Sequence, residues 1–164
     1  MSESGVRLGE AQAQRLEAML AQIEALVGHP EVSARLRAAP GDAEWNVLQV
    51  LGHLIEMIPY WLHHCRALIQ AEGEPPAFGR TLDSPERLEG VEHGDRGNLD
   101  DLTRELREEV HAAATMIKGL TAAEREKAGI HNRRGRMTVN EVVEAFVVAH
   151  AEEHVRQIKA ALGD

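Results

Sequence analysis

Cysteine is nearly absent from this chain of 164 residues, which contains Cys65 alone. A single thiol cannot form an internal disulfide, so the fold does not depend on an oxidising compartment. The N-terminus lacks a basic segment followed by an apolar one, and no apolar run approaches the roughly 20 residues that a membrane-spanning helix requires. We therefore expect a cytoplasmic protein with no membrane partner.

Aromatic side chains are also scarce, since Phe, Trp and Tyr together make up 3% of the sequence. A core must therefore be built from Leu, Val, Ile, Ala and Met, a set of residues that favours helices. Basic side chains are outnumbered, with 18 Lys and Arg against 27 Asp and Glu, and the formal charge is −9. Such a charge repels a phosphate backbone, so we do not expect nucleic acid as a partner.

The composition is otherwise that of an ordinary globular protein. Hydrophobic residues make up 43% and charged residues 27% of the chain, and its length suits a single domain over residues 1–164. Apolar residues recur at three- and four-residue steps in four segments, which is the pattern of amphipathic helices. These segments predict helices over 10–27, 46–71, 98–120 and 138–162, with shorter helical pieces over 31–38 and after Thr121, and no strand.

Two of the long predicted helices have clear start signals. Asn46 with Gln49, and Thr138 with Glu141, have the spacing of capping boxes, in which each side chain bonds to the backbone N–H of the other residue. Pro59 lies inside the second helix and removes one backbone hydrogen bond, which predicts a bend just before it. The apolar pattern keeps its phase across the proline, so we expect the helix to continue.

The lengths of the connections predict the topology. Short loops between helices one and two, and between three and four, make each pair antiparallel. Residues 73–97 are rich in glycine and proline and have no sustained period, which indicates a long connection that can travel the length of the molecule. The prediction is an all-α, up-down-down-up four-helix bundle with a long crossover between helices 2 and 3.

Three of the nine histidines occupy positions where the helical period calls for apolar side chains. On the fourth predicted helix the inward stripe consists of Val143, Val147, His150, His154 and Ile158. On the second predicted helix His53 takes such a position directly after Gly52. A glycine inside a helix costs about 1 kcal/mol relative to alanine, so Gly52 indicates a close approach by a neighbouring backbone.

The three histidines are candidate metal ligands. At about 1.5 Å per residue, His53, His150 and His154 lie at similar depth if the second and fourth helices are antiparallel. Neutral imidazole is a preferred ligand of zinc and similar divalent metals, and three protein ligands with one open position are typical of a catalytic site. Water bound at that position becomes acidic, with a pKa that falls to about 7. The alternative is that these histidines are buried and hydrogen-bond to the backbone or to acids such as Glu56 and Glu153.

Charged residues on or before the histidine-bearing helices are further candidates for this site. Glu56, one turn beyond His53, is the candidate catalytic residue, either to orient a ligand imidazole or to act as a general base on metal-bound water. A solvated helix charge is the alternative for Glu56. Arg133, Arg134 and Arg136 precede the fourth helix, about 20 Å along the axis from its histidines, so we expect no contact with a substrate at the metal.

The segments around these histidines resemble a known family. Residues 44–54 are similar to the start of the second helix of the DinB/YfiT-like superfamily, and residues 135–158 are similar to its last helix. The resemblance implies an up-down-down-up bundle, usually a dimer, that holds zinc or nickel through three histidines, here His53, His150 and His154. It also implies a range of activities, from proposed metal-dependent hydrolases to S-transferases and isomerases that use low-molecular-weight thiols.

We therefore expect a homodimeric metalloenzyme of the hydrolase or thiol S-transferase type. Its three-histidine divalent metal would activate water or a thiol for attack on a small electrophilic substrate, and a low-molecular-weight thiol is a candidate cofactor. Two alternatives stay open at this point. One is a metal-binding or dimeric helical module without chemistry of its own, and the other is a metal-free bundle whose histidines are structural.

Overall fold

The computed structural model describes residues 3–41 and 44–163, which are mostly helical. The helices are α1 (Glu3–Val27), α2 (Val47–Gln70), α3 (Pro85–Arg96), α4 (Leu99–Gly119), α5 (Ala122–Glu126), α6 (Val139–Val142) and α7 (Ala149–Ala161). A 3₁₀-helix covers Pro30–Arg35, a π-helix covers Val143–Val148, and the strands are β1 (Ala77–Phe78), β2 (Ala128–His131) and β3 (Gly135–Thr138). Because α6, the π-helix and α7 follow one another without a break, they are called the C-terminal helix below.

Four long rods form the bundle: α1, α2, α4 and the C-terminal helix. The rod α1 packs against α4 and the C-terminal helix, and α2 packs against the same two partners. This arrangement confirms the all-α, up-down-down-up four-helix bundle with its long crossover between the second and third rods. The first rod begins at Glu3, earlier than the predicted Glu10. None of the described helices is long and apolar enough to cross a membrane.

The apolar stripes of the four rods meet in one core. Leu16 of α1, Leu54 of α2, Leu106 of α4 and Val147 of the C-terminal helix are all fully buried. Burying one such side chain stabilises a protein by about 1.5–3 kcal/mol. Packing of these stripes, more than local helix propensity, therefore holds the rods together.

The predicted start signals are confirmed. The Asn46 side chain accepts a hydrogen bond from the Gln49 backbone N–H, and the Gln49 side chain accepts one from the Asn46 backbone N–H. Thr138 and Glu141 make the same reciprocal pair at the start of the C-terminal helix. The second rod continues across Pro59, as its apolar pattern predicts. These caps set where the two histidine-bearing rods begin, and hence the level of their histidines.

The long connection is more ordered than its sequence indicates, because residues 73–97 contain β1 and the 12-residue helix α3. This helix packs against α2 through glycines. A Cβ atom added to Gly52 would collide with the backbone of Gly90 and Gly94 on α3, so the close approach expected at Gly52 is confirmed. The pattern missed α3 because Val91 is its one buried apolar side chain and the other buried positions are glycines, which leave no apolar stripe to detect.

The prediction of no strand is wrong. Strand β1 pairs in parallel with β2, and β2 pairs antiparallel with β3. Strands of two to four residues are too short to show the alternating pattern that identifies a strand. Residues 132–134 form the turn between β2 and β3, and Gly135 follows with φ of 72°, a conformation that favours glycine. The small sheet thereby ties the crossover to the segment that precedes the C-terminal helix.

Candidate metal centre

The histidines of α2 and the C-terminal helix meet at one point. The ring centroids are 4.7 Å apart for His53 and His154, 4.6 Å for His150 and His154, and 6.0 Å for His53 and His150. One ring nitrogen from each of the three residues can be chosen so that all lie within 4.8 Å of one another. The structure therefore brings together all three residues that the helical pattern selected.

Two nitrogens of this cluster are buried and have no hydrogen-bond partner among the described residues. Nδ1 of His154 bonds to Oε1 of Gln157 at 2.7 Å, and Nε2 of His154 is left unpaired. Because an amide oxygen accepts, the proton lies on Nδ1 and Nε2 keeps its lone pair. Nδ1 of His53 is likewise buried and unpaired. An unpaired buried polar atom costs about 1–3 kcal/mol, which a bound cation would offset, so these donors fit a divalent metal.

Burial keeps these imidazoles neutral. Desolvation, reinforced by the neighbouring imidazoles and arginines, lowers the pKa of His53 to about 2 and the pKa of His154 to about 4. Desolvation also lowers the pKa of His150, while the nearby Glu153 carboxylate, 3.8 Å from Nδ1, opposes that change. The neutral form is the one that donates a lone pair to a metal, so the cluster is ready to bind a cation at neutral pH.

The metal-free protein is expected to lose stability as the pH falls below about 6.5. In the unfolded chain each histidine takes up a proton near pH 6.5, whereas the low pKa values of His53 and His154 keep both neutral in the folded state. The unfolded state then binds more protons, so the free energy of unfolding decreases with falling pH, by up to about 1.4 kcal/mol per pH unit for each residue. Urea unfolding in the presence of a chelator, between about pH 7 and pH 5, measures this slope.

The His154→Asn variant separates this effect from other titrating groups. Asparagine retains a polar side chain at this site but cannot take up a proton in this range. The dependence of the free energy of unfolding on pH should be shallower in the variant. A slope identical to that of the wild-type chain would contradict the burial of a neutral His154.

A cavity of about 290 Å³ opens beside the histidines. It is lined by His53, Met57, Trp61, Arg80, Thr81, Leu82, Arg87, His131, Arg133, Arg134, Ala145, Phe146, His150 and Glu153. The volume suits a small ligand, and the mixture of apolar and polar groups is typical of a binding site. Four arginines and one carboxylate are present in this lining, although the whole chain is strongly acidic.

The expectation that Arg133 and Arg134 lie far from the histidines is wrong. Both belong to the turn between β2 and β3 and line the cavity that His53 and His150 also line. The turn is fixed by His131, whose Nδ1 accepts hydrogen bonds from the backbone N–H groups of both arginines at 3.1 and 3.2 Å. The expected separation was counted along the axis of the fourth predicted helix. It was too long because the two strands fold this turn back toward the histidines.

The family can be decided by comparison with known proteins. The model of the DinB superfamily matches residues 10–158. The chain belongs to the DinB superfamily. The sequence resemblance around the histidine-bearing helices is thereby confirmed, and it extends over nearly the whole chain of this DinB-superfamily member.

A solved structure with the same fold is that of YfiT from Bacillus subtilis, which is described as a probable metal-dependent hydrolase with an unusual four-helix bundle topology. The TM-score is 0.76 with 17% sequence identity, and the match covers 98% of this chain and 87% of YfiT. At this identity the likeness shows the fold. Comparison with curated proteins finds no match.

In this DinB-superfamily chain, Glu56 is held by Arg80. Its carboxylate lies 2.7 Å from Nη1 of Arg80, and the two side chains are only 18% and 8% exposed, respectively. The Arg80 guanidinium lies 3.9 Å from the centre of the Tyr60 ring. Both oxygens of Glu56 lie within 2.8 Å of Arg80 Nη1, and Nδ1 of His53 has no hydrogen-bond partner among the described residues, so the carboxylate does not orient that imidazole. A role for Glu56 as general base stays a prediction.

A π-helix lies directly before the histidine pair of the C-terminal helix. Val143–Val148 ends two residues before His150 and contributes Ala145 and Phe146 to the wall of the cavity. Valine fits a regular α-helix less well than unbranched residues, and this segment contains three valines. Such widened turns recur at functional sites, and here the π-helix connects the capped start of the rod to its histidines.

Proposed function

We propose that the chain is a metal-dependent enzyme that acts on a small molecule, as a hydrolase or a thiol S-transferase. His53, His150 and His154 would hold one divalent cation, with zinc or nickel as the candidates. The observation that carries the proposal is the convergence of three neutral imidazoles, two of them with unpaired buried nitrogens. A cation held in this way supplies an open position at which water or a thiol is acidic near neutral pH.

The surroundings of the histidines favour an enzyme over a metal-binding module without chemistry. A cavity large enough for a small ligand opens onto His53 and His150, and Met57, Trp61 and Phe146 form an apolar part of its wall. A module that only binds a metal needs no such cavity. The description of YfiT as a probable metal-dependent hydrolase further supports the proposal that this chain is a hydrolase.

Metal analysis of protein purified without a histidine tag tests the site. We expect about one equivalent of zinc or nickel per chain after loading and dialysis. Less than about a tenth of an equivalent, together with no affinity on titration, would overturn the metal site. Either result is independent of any knowledge of the substrate.

A substrate screen then separates an enzyme from a module. Esters and amides test for hydrolase activity. Electrophilic acceptors offered together with low-molecular-weight thiols test for thiol S-transferase activity. We expect turnover of at least one class that is lost with a chelator and restored by zinc. A fully loaded protein that turns over none of these classes would favour the non-catalytic module.

The Glu56→Gln variant tests the proposed general base. If Glu56 takes up a proton during the reaction, kcat should fall by about 10²–10⁴-fold while the zinc content is unchanged. Glu92→Gln is the matched control, because it also removes a carboxylate paired with an arginine, Arg96, but at an exposed site. A higher KM with unchanged kcat would contradict a base and would assign Glu56 to the positioning of Arg80.

A further inference from the structure

We propose that the arginine-bearing wall of the cavity is a subsite for a carboxylate group, so that the substrate is a small organic anion. The proposal deepens the proposed function and rests on it, since it identifies the class of molecule that would react beside the three histidines. The two arginines that would bind the carboxylate are Arg87 and Arg134, which line the cavity together with His53 and His150.

The charge of this wall is opposite to that of the chain. The formal charge of the whole chain is −9, yet four arginines and only one carboxylate line the cavity. Arg80 is paired with Glu56, whereas no carboxylate of the described residues forms an ion pair with Arg87, Arg133 or Arg134. Unneutralised cations gathered in a cleft concentrate anions there, because the low-dielectric walls focus the field.

Arg87 is held in place by contacts that leave its charge available. Its Nη1 donates a hydrogen bond to the carbonyl oxygen of Leu82 at 2.7 Å, and its guanidinium lies 4.9 Å from the centre of the Trp45 ring. The Trp45 ring in turn lies 4.9 Å from the ring of His53. Arg87 is therefore a preorganised cation next to the histidine cluster, and preorganised groups lose little entropy when they bind a ligand.

The second cation is Arg134, on the turn between β2 and β3. Its guanidinium lies 4.8 Å from the centre of the Phe146 ring, and the backbone of the turn is bonded to His131. Arg87 and Arg134 come from separate elements, α3 and the turn, but line one cavity. Burial lowers the pKa of Arg87, and the charges of Arg80 and Glu56 act on that pKa in opposite directions. An anion between Arg87 and Arg134 would pair with both guanidinium groups.

The chemistry of the wall favours a carboxylate over a phosphate. The planar guanidinium fork forms two parallel hydrogen bonds with a carboxylate or with a phosphate, so the choice between them depends on the other groups of the wall. Phosphate sites commonly add backbone N–H groups from a glycine-rich loop at the start of a helix. None of the described residues that line this cavity is a glycine, and the cations there are all arginine side chains. The cavity volume of about 290 Å³ limits the ligand to a small molecule.

Intrinsic fluorescence provides a direct test with succinate as the probe. The two tryptophans of the chain both lie at this site, since Trp45 stacks with Arg87 and Trp61 lines the cavity. The full-length protein is titrated with succinate and with its uncharged analogue succinamide, in the zinc-loaded and the metal-free form. We expect saturable binding of succinate in both forms and no binding of succinamide.

Variants then assign the binding to the arginines. Arg87→Gln and Arg134→Gln should each weaken succinate binding about tenfold, because each removes a charge-assisted pair. Arg87→Lys keeps the positive charge but lacks the planar guanidinium group, so it should retain part of the affinity for succinate. Partial affinity would show that the variant is folded and that the weaker binding comes from the lost hydrogen bonds. Arg104→Gln is the matched control, since Arg104 is exposed on α4 and paired with Asp101. Its affinity for succinate should equal that of the wild-type chain.

Failure of this subsite differs from failure of the metal site. Equal binding of succinamide, absence of saturable succinate binding, or an affinity unchanged in Arg87→Gln or Arg134→Gln would overturn the carboxylate subsite. The metal-free titration does not depend on zinc, so arginine-dependent binding of succinate supports the subsite even if metal analysis fails. The zinc content of both arginine variants should match that of the wild-type protein.

Discussion

The His150→Ala variant is expected to lose zinc binding and all metal-dependent activity while keeping its helical fold. Only two imidazoles remain after this change, which is fewer than the three protein ligands of a catalytic zinc site. The side chain of His150 is 40% exposed, so its truncation leaves no closed cavity in the core. Zinc content measured on untagged protein should fall below about a tenth of the wild-type value, with an unchanged helical circular dichroism spectrum.

The matched control for His150→Ala is His63→Ala. His63 is an exposed histidine on α2, outside the three-histidine cluster. Removal of the His63 side chain should leave the zinc content at the wild-type level. This result would show that the loss of any one histidine is not sufficient to lower the zinc content. Full zinc content in His150→Ala would contradict the assignment of His150 as a ligand.

The Gly52→Ala variant is expected to have the largest effect on stability. The added Cβ would collide with the carbonyl oxygen of Gly90 and the backbone nitrogen of Gly94 on α3. These are backbone atoms, so relief requires α3 to move as a unit, and α3 carries Arg87. Overpacking of this kind typically lowers the free energy of unfolding by about 1–3 kcal/mol. Because the collision is with backbone atoms, we expect Gly52→Ala to lower it by about 3 kcal/mol. Urea unfolding at neutral pH measures the loss, and succinate affinity should fall with it.

The matched control for Gly52→Ala is Gly119→Ala. A Cβ added to Gly119, the last residue of α4, would meet nothing within 4 Å. Alanine has the higher helix propensity, so this variant should be neutral or more stable by up to about 1 kcal/mol. If Gly52→Ala were as stable as the wild-type chain, the glycine-mediated contact between α2 and α3 would be refuted.

The three histidines could be placed from the sequence because they lie on long helices. The 3.6-residue period assigns each position to a face, and the caps at Asn46 and Thr138 fix where the two rods begin. Depth along a straight rod then follows from residue count alone, at about 1.5 Å per residue. His53, His150 and His154 could therefore be grouped before any contact was known.

The arginine wall could not be placed in this way. Arg87 lies on α3, which has no apolar stripe because Gly90 and Gly94 make its close contacts with α2 and Val91 is its one buried apolar side chain. Arg134 lies in a hairpin turn whose strands are too short to recognise, so residue count along the next helix placed it too far away. Gly52 was the one local signal of α3. A glycine inside a helix predicts that another backbone lies close to it, but it does not show which segment of the chain supplies that backbone.

We propose above that three imidazoles from two rods hold one divalent cation beside a ligand cavity. A crystal structure of the zinc-loaded protein, with anomalous data collected at the zinc edge, tests it most directly. We expect one anomalous peak, with nitrogens of His53, His150 and His154 at about 2.0–2.1 Å and the remaining position facing the cavity. Zinc bound elsewhere, or held by fewer than these three residues, would contradict it.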